Sequence, residues 1–237
     1  MAKIFILNHL KMKLRNLFSL NVYRPLFLKI SEKKYPHLHT DVIRIRVKDI
    51  IGWYSENKLL EITFEGNIKG GDWSGKIMSR EEVLKNSNKY RAIVQRYREN
   101  IPWIQTDLFK DRYSKRLSSG SRVNGFSDIG LVEEYYEEHY DRLFQDLKQY
   151  GFKPPDSSRN IAPMYIYIDK DGEILYTRDG NHRLYMALVL GIEKIPVKVW
   201  TRHKAWQLKK EIILENEGNV DDPLKKYLNH PDIEPYL

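Results

Sequence analysis

The sequence predicts an α+β fold, a mixed β-sheet with helices packed against it. "VIRIRVKDI" (42–50) and "IPVKVW" (195–200) alternate apolar with polar residues, the two-residue period of a half-buried strand. Between them lie two long stretches, near 79–100 and 128–150, that open on helix-capping residues. The run 164–200 then reads strand, turn, strand, turn, helix, strand without a break. Strand and helix signals are interspersed along the chain, with no internal repeat and no low-complexity segment.

The first element expected is a basic, amphipathic arm over residues 1–34. Leu7, Leu10, Leu14 and Leu17 share one face of a helix, with Asn8, Arg15, Asn16 and Ser19 mostly opposite. Eight Lys or Arg stand there against a single acid, Glu32, whereas residues 35–237 hold 32 bases and 31 acids. The chain's net charge of +8 therefore belongs almost wholly to the arm. Three roles stay open for it: a helix docked on the body or on a protein partner, a helix on an anionic membrane surface, or a nucleic-acid contact or targeting segment. A DNA-binding domain would usually spread its basic stripe over the folded surface, so DNA is the less favoured partner. "IFIL" is too short for the core of a secretory leader, and no apolar run approaches the roughly 18 residues of a spanning helix. The expected location is cytoplasmic, with at most peripheral membrane attachment.

Residues 35–217 are expected to form the folded domain. In the first strand Ile43, Ile45 and Val47 face inward and Arg44, Arg46 and Lys48 outward. "LLEITFEGN" (59–67) reads as a second strand and "KGGDWSGK" (69–76) as a glycine-rich loop. A helical insertion is expected over about 77–160. There Ser79 and Glu82 make a capping box for a helix to about Asn100. "IPWIQTDLF" (101–109) offers Trp103 and Thr106 to a cleft or to plain packing, and residues 113–126 read as a loop rich in Ser, Gly, Arg and Asn. Ser127 or Asp128 caps a second helix whose buried side holds Leu131, Val132, Tyr135, Tyr136, His139, Leu143 and Leu147, and Gly151 ends it. Prolines mark 152–163 as a linker. "MYIYID" and "EILYT" are the strands of a hairpin about the turn "DKDG". "RHKAWQ" opens the last helix, and the polar residues 218–237 read as a C-terminal tail.

With 41% hydrophobic residues among 237, the chain can bury a real core. It has no cysteine, which excludes disulfides, thiolate catalysis and Cys-based zinc or iron–sulfur sites.

The chemistry concentrates in "YTRDGNHRLY" (176–185), where a strand turns into a helix. A helix N-terminus presents unpaired N–H groups and the positive end of the helix dipole, and so attracts anions. Gly180 leaves the backbone open to a phosphate. Arg183 presents a planar fork of donors, and His182 donates to phosphate or carries a proton near neutral pH. Asn181 caps the helix or orients a ligand. Asp179 repels phosphate unless it holds Mg²⁺ or takes the proton of an attacking hydroxyl. Anion donors beside one acid suit phosphoryl transfer; an ordinary turn with a surface Arg is the plainer alternative.

Two further segments qualify as partners of that turn. In "GGDW", Asp72 is a candidate base or metal ligand and Trp73 a stacking surface, against a tight turn with Trp73 in the core. In "TRHKAWQ", Arg202, His203 and Lys204 either complete the anion pocket or make a basic surface at a helix start. Trp206 reads as core.

The stretch "PMYIYIDKDGEILYTRDGNHRLYMALVLGIEKIPVKV" resembles the core of the ParB/sulfiredoxin superfamily, in which a hairpin precedes a Gly-containing basic turn, an Ala/Leu-rich helix and an Ile-Pro-Val strand. The likeness covers about residues 163–200 and extends to the strand 42–50. It implies a ParB/sulfiredoxin-like sheet and a nucleotide (ATP, ADP or CTP), with Mg²⁺, bound at the turn. Sulfiredoxins carry Cys where Asn181 stands, so their reductase chemistry is excluded. Partition proteins have Gly-Glu-Arg-Arg; Gly180 and Arg183 match, Asn181 and His182 do not, and only 37 residues follow Trp200, too few for their DNA-binding domain. The nearest motif is the Asp-Gly-His-His-Arg of the free serine kinases, which Asp179, Gly180, His182 and Arg183 match and Asn181 does not. Other relatives of unassigned function pair such a turn with GGDW and RHKxWQ segments. The expected activity is phosphoryl transfer to a small hydroxyl compound. The expectation set against it is a non-catalytic, nucleotide-responsive module that binds DNA or a protein partner.

Overall fold

Residues alternating in and out build a mixed sheet, seen in a computed structural model that describes Ile30, Ser31 and residues 33–54, 65–73, 77–152, 164–177 and 180–237. The leucine-faced arm, most of the strand expected at 59–67 and Asp179 lie outside the described residues. The strands are β1 (Ile43–Arg46), β2 (Ile50–Tyr54), β3 (Asn67–Lys69), β4 (Ile77–Ser79), β5 (Met164–Ile168), β6 (Ile174–Tyr176) and β7 (Lys194–His203). Their order across the sheet is β1-β7-β5-β6-β2-β4, and β3 runs parallel to the second half of β7.

The single strand expected at 42–50 is two. Its alternation holds, with Ile43, Ile45 and Val47 buried and Arg44 and Arg46 exposed. A 3-10 turn over Val47–Asp49 interrupts it, where the Asp49 carboxylate accepts from Arg46 Nε at 2.8 Å. β1 pairs antiparallel with β7, while β2 crosses over to pair parallel with β6. Hydrophobic periodicity cannot register such a turn, because the buried side continues through it.

The hairpin β5–β6 forms as expected, antiparallel from Ile166↔Tyr176 to Ile168↔Ile174. Its turn is held by Asp169 Oδ1, which accepts from the N–H groups of Asp171 and Glu173 at 2.8 Å each. β5 also lies parallel to β7, so the hairpin sits in the middle of the sheet.

Between β4 and β5 the chain makes the helical layer. α1 (Arg80–Asn86) starts at the expected cap, with Ser79 Oγ accepting from Glu82 N at 3.2 Å. It stops early, because Ser87 caps a second helix, α2 (Asn88–Arg98), by accepting from Tyr90 N at 3.2 Å. A π turn (Leu108–Tyr113) then leads into α3 (Ser114–Ser118), so the first six residues of the loop expected at 113–126 are helical and the rest is loop. α4 (Ile129–Tyr136) and α5 (Arg142–Tyr150) form the second long helix, joined by a π turn over Glu137–Asp141. Of the side expected to be buried, Val132, Tyr136 and Leu147 are, whereas Leu131 and His139 are exposed, because the π turn shifts the helical register between them. That turn places Asp141 where Tyr97 Oη and Trp103 Nε1 both donate to it at 2.9 Å and Arg96 pairs with it. Trp103 and Thr106 are fully buried and pack rather than line a cleft.

After β6 comes α6 (Asn181–Leu190), closed by Gly191 in the left-handed region at φ 70°. β7 runs on to His203, three residues past the expected end, and α7 (Lys204–Glu215) follows. The residues from Gly218 on are not a loose polar tail. They include α8 (Asp222–Lys225), and Asp232 and Ile233 are fully buried. Trp206 is core, as read, with no exposed surface. Burial of a side chain that size removes enough apolar area to contribute roughly 1.5–3 kcal/mol. Among the described residues no helix is long and apolar enough to cross a membrane.

Candidate anion-binding site

α6 begins where β6 leaves the middle of the sheet, and its first residue is Asn181. The residue before it, Gly180, adopts φ 78°, a left-handed conformation that side chains disfavour. Space forbids a side chain as well: a Cβ on Gly180 would stand 2.8 Å from Met164 Cγ, 3.0 Å from Arg183 Nη2 and 3.1 Å from Tyr176 Oη. The side chains that fill this space belong to the protein, so Gly180 serves packing in addition to any ligand. The Arg183 guanidinium accordingly folds back over the start of its own helix. Gly180 stands at the N-cap and has no side chain with which to accept from the first N–H groups of α6; Asn181, expected as a cap, is instead the first helical residue.

Beside this helix end lies a cavity of about 550 Å³, lined by residues 86–89, Arg112, Asn181 and Tyr185. The sequence makes it by breaking a helix. Asn86, Ser87 and Asn88 are poor helix formers in a row, and the break between α1 and α2 falls at Ser87, the middle one. Tyr90 and Tyr185 hold the two helices together, their rings 5.5 Å apart and edge to face. Lys89 is half-buried and Arg112 exposed. Burial, and then the charge of Arg112, lowers the Lys89 pKa. Asn181 Oδ1 is buried and has no hydrogen-bond partner among the described residues.

His182 faces elsewhere. Its ring lies 4.2 Å from that of Tyr140 and 6.1 Å from that of Tyr136, against the helical layer. Its Nε2 is buried without a partner among the described residues. Burial above all, then the charges of Lys89 and His139, push its pKa down to about 3. The expectation of a proton carrier near neutral pH is thus corrected: the imidazole is uncharged there.

Asp72, Arg202 and His203 are not brought to this cavity. Asp72 is exposed in its loop, and its neighbour Trp73 packs edge to face on Tyr54 and Tyr167. The Gly-Gly-Asp-Trp segment is a turn with its Trp in the core. His203 Nδ1 accepts from Ala205 N at 3.0 Å, capping α7, and this leaves its Nε2–H to donate to Gly71 O at 2.8 Å. Arg202 is 1% exposed and pairs with Asp232 through Nε at 2.8 Å and Nη2 at 2.5 Å. Arg202 and His203 therefore hold the C-terminal segment and the loop in place and do not complete a phosphate pocket. Among the described residues no group of three or more His, Asp or Glu side chains stands ready to hold a metal ion.

Sequence reading missed Lys89 and Arg112, which sit 92 and 69 residues before Asn181 in the chain. The one available signal was Asn-Ser-Asn at 86–88, an interruption inside an otherwise helical stretch. Compared with protein-family models, curated proteins and solved structures, the chain matches none.

Proposed function

We propose that this protein binds a phosphate-bearing small molecule, a nucleotide, at the N-terminal end of α6 on a ParB/sulfiredoxin-like core, and transfers a phosphoryl group to a small hydroxyl compound. The observation that carries the reading is the polar cavity at that helix end, where Lys89 and Arg112 have no acidic partner among the described residues. A helix start with glycine at its N-cap and two unbalanced cations favour the same kind of ligand, an anion. The order hairpin, glycine turn, helix, strand supports the fold-level part of the proposal by analogy only. Mg²⁺ enters as the counterion a nucleotide brings with it. Arg183 holds phosphate oxygens in this reading, and Asp179 is the candidate base.

One observation favours the second reading, a nucleotide-responsive module without catalysis that acts on DNA or a protein partner. His182, the residue of the turn expected to carry a proton, is held uncharged by burial and does not itself line the cavity.

Calorimetry with ATP, ADP and CTP in the presence of Mg²⁺ tests binding, and turnover with a panel of small alcohols tests transfer. Arg183→Ala is expected to weaken nucleotide binding by about 1.5–3 kcal/mol, the scale of a hydrogen bond to a charged group. Equal affinity in wild type and variant removes the turn from the site. Binding without turnover, responsive to DNA or a protein, supports the second reading.

A further inference from the structure

The helical layer brings to the cavity something the turn lacks, a pair of cations on separate elements. Lys89 stands in the first turn of α2, and Arg112 on the π turn before α3. They are close enough for the charge of one to lower the proton affinity of the other. Neighbouring cations of the same layer are matched, Arg96 by Asp141 and Arg91 by Asp107 at 3.4 Å. Lys89 and Arg112 have no such match among the described residues. Like charges held together cost free energy unless something negative offsets them. Two of them suit a group with two negative charges.

Asn181 Oδ1 opposite them supplies the second requirement. A buried carbonyl oxygen without a partner calls for a donor, and a small hydroxyl is the donor that an anionic ligand can carry beside its charge. The cavity wall supplies the third. Among the described residues Tyr185 is the one aromatic in a lining otherwise made of Asn, Ser, Lys and Arg, and a single ring does not sandwich a base.

We infer that this cavity binds the acceptor of the proposed reaction, and that the acceptor is a small hydroxyl compound already bearing a phosphate group. Lys89 and Arg112 hold its phosphate dianion, and Asn181 Oδ1 accepts from its hydroxyl. The inference rests on the phosphate-binding reading of the α6 end and deepens it: the two cations of the cavity serve the acceptor's phosphate, and Arg183 is left to hold the nucleotide's.

The probes are glycerol 3-phosphate, inorganic phosphate and Mg-ATP, titrated calorimetrically into the full chain. Wild type is expected to bind glycerol 3-phosphate more tightly than inorganic phosphate. Lys89→Gln and Arg112→Gln are each expected to weaken both by roughly ten- to hundredfold. Asn181→Ala is expected to abolish the preference for glycerol 3-phosphate while leaving inorganic phosphate binding in place. Lys89 is half-buried and Arg112 exposed, and thermal melts of the variants confirm that the fold is intact. Unchanged affinity for both small phosphates in the two charge variants overturns the inference. Mg-ATP bound in an Arg183-dependent manner, with neither small phosphate bound, overturns it and leaves the nucleotide reading standing. A wild type that binds none of the three probes overturns both.

Discussion

Two strand-to-helix junctions in this molecule carry a cluster of basic and imidazole side chains, and they have opposite fates. At the start of α7, Arg202 and Lys210 converge on Asp232, which also accepts from Trp206 Nε1 at 3.0 Å. All four residues are within 1% of full burial. Burial alone would raise the Asp232 pKa, but Arg202 and Lys210 outweigh it and hold the carboxyl well below its usual range. Lys210 is pushed down to about 8 by burial, against the pull of Asp232. At the start of α6 the cations are on the surface or half-buried, and among the described residues no carboxylate answers Lys89 or Arg112. A basic cluster at a helix start is a site only where the fold withholds the counterion. At α7 the fold supplies it from 30 residues downstream.

The sharpest way to break this comparison is to remove the counterion. Asp232→Ala leaves Arg202 and Lys210 buried and uncompensated and is expected to cost about 3–5 kcal/mol in urea unfolding. A loss below 1 kcal/mol would mean that the C-terminal segment is dispensable after all. At the other junction the same operation on charge has no such cost. Lys89→Gln and Arg112→Gln are expected to change stability by no more than about 0.5 kcal/mol, because both side chains reach solvent.

Next in size is Gly180→Ala. A left-handed φ and a Cβ 2.8 Å from Met164 Cγ together are expected to cost roughly 1–3 kcal/mol and to displace the Arg183 guanidinium. Unfolding curves measure the first effect and nucleotide titration the second.

Acid pH separates the two junctions as well. The His182 pKa is about 3 in the folded chain and near 6.5 unfolded, so the unfolded chain takes up the proton first. Stability is therefore expected to decline as pH falls from about 6.5 toward 3, and His230 and His39, also lowered mainly by burial, act in the same direction. Asp232 is depressed, so its contribution is complete above about pH 4 and is lost as pH falls further. His182→Asn should flatten the upper part of the profile and leave the lower part steep. An unaltered slope between pH 6.5 and 4 would show that the ring is not buried in solution.

The smallest effect is expected from Asp72→Asn, which should match wild type in stability, nucleotide affinity and turnover. A collapse of turnover would return the Gly-Gly-Asp-Trp loop to the site.

By itself the sequence determined what depends on neighbours along the chain. The burial pattern of β1, the Asp169 hairpin, the Ser79 cap and the Gly191 stop all follow from side-chain periodicity and local hydrogen bonds within a few residues. The glycine at the head of α6 was legible for the same reason, since its left-handed conformation is a local property. Tertiary structure decided everything that depends on partners far apart in sequence. It turned one alternating run into β1 and β2 on separate parts of the sheet, because pairing with β7 and β6 is not written in either strand's own pattern. It drew a polar tail into the core, because Asp232 alone is costly to bury but stable between Arg202 and Lys210. And it carried Lys89 and Arg112 from the helical layer to the mouth of α6, because charge acts through space and the sequence records only order.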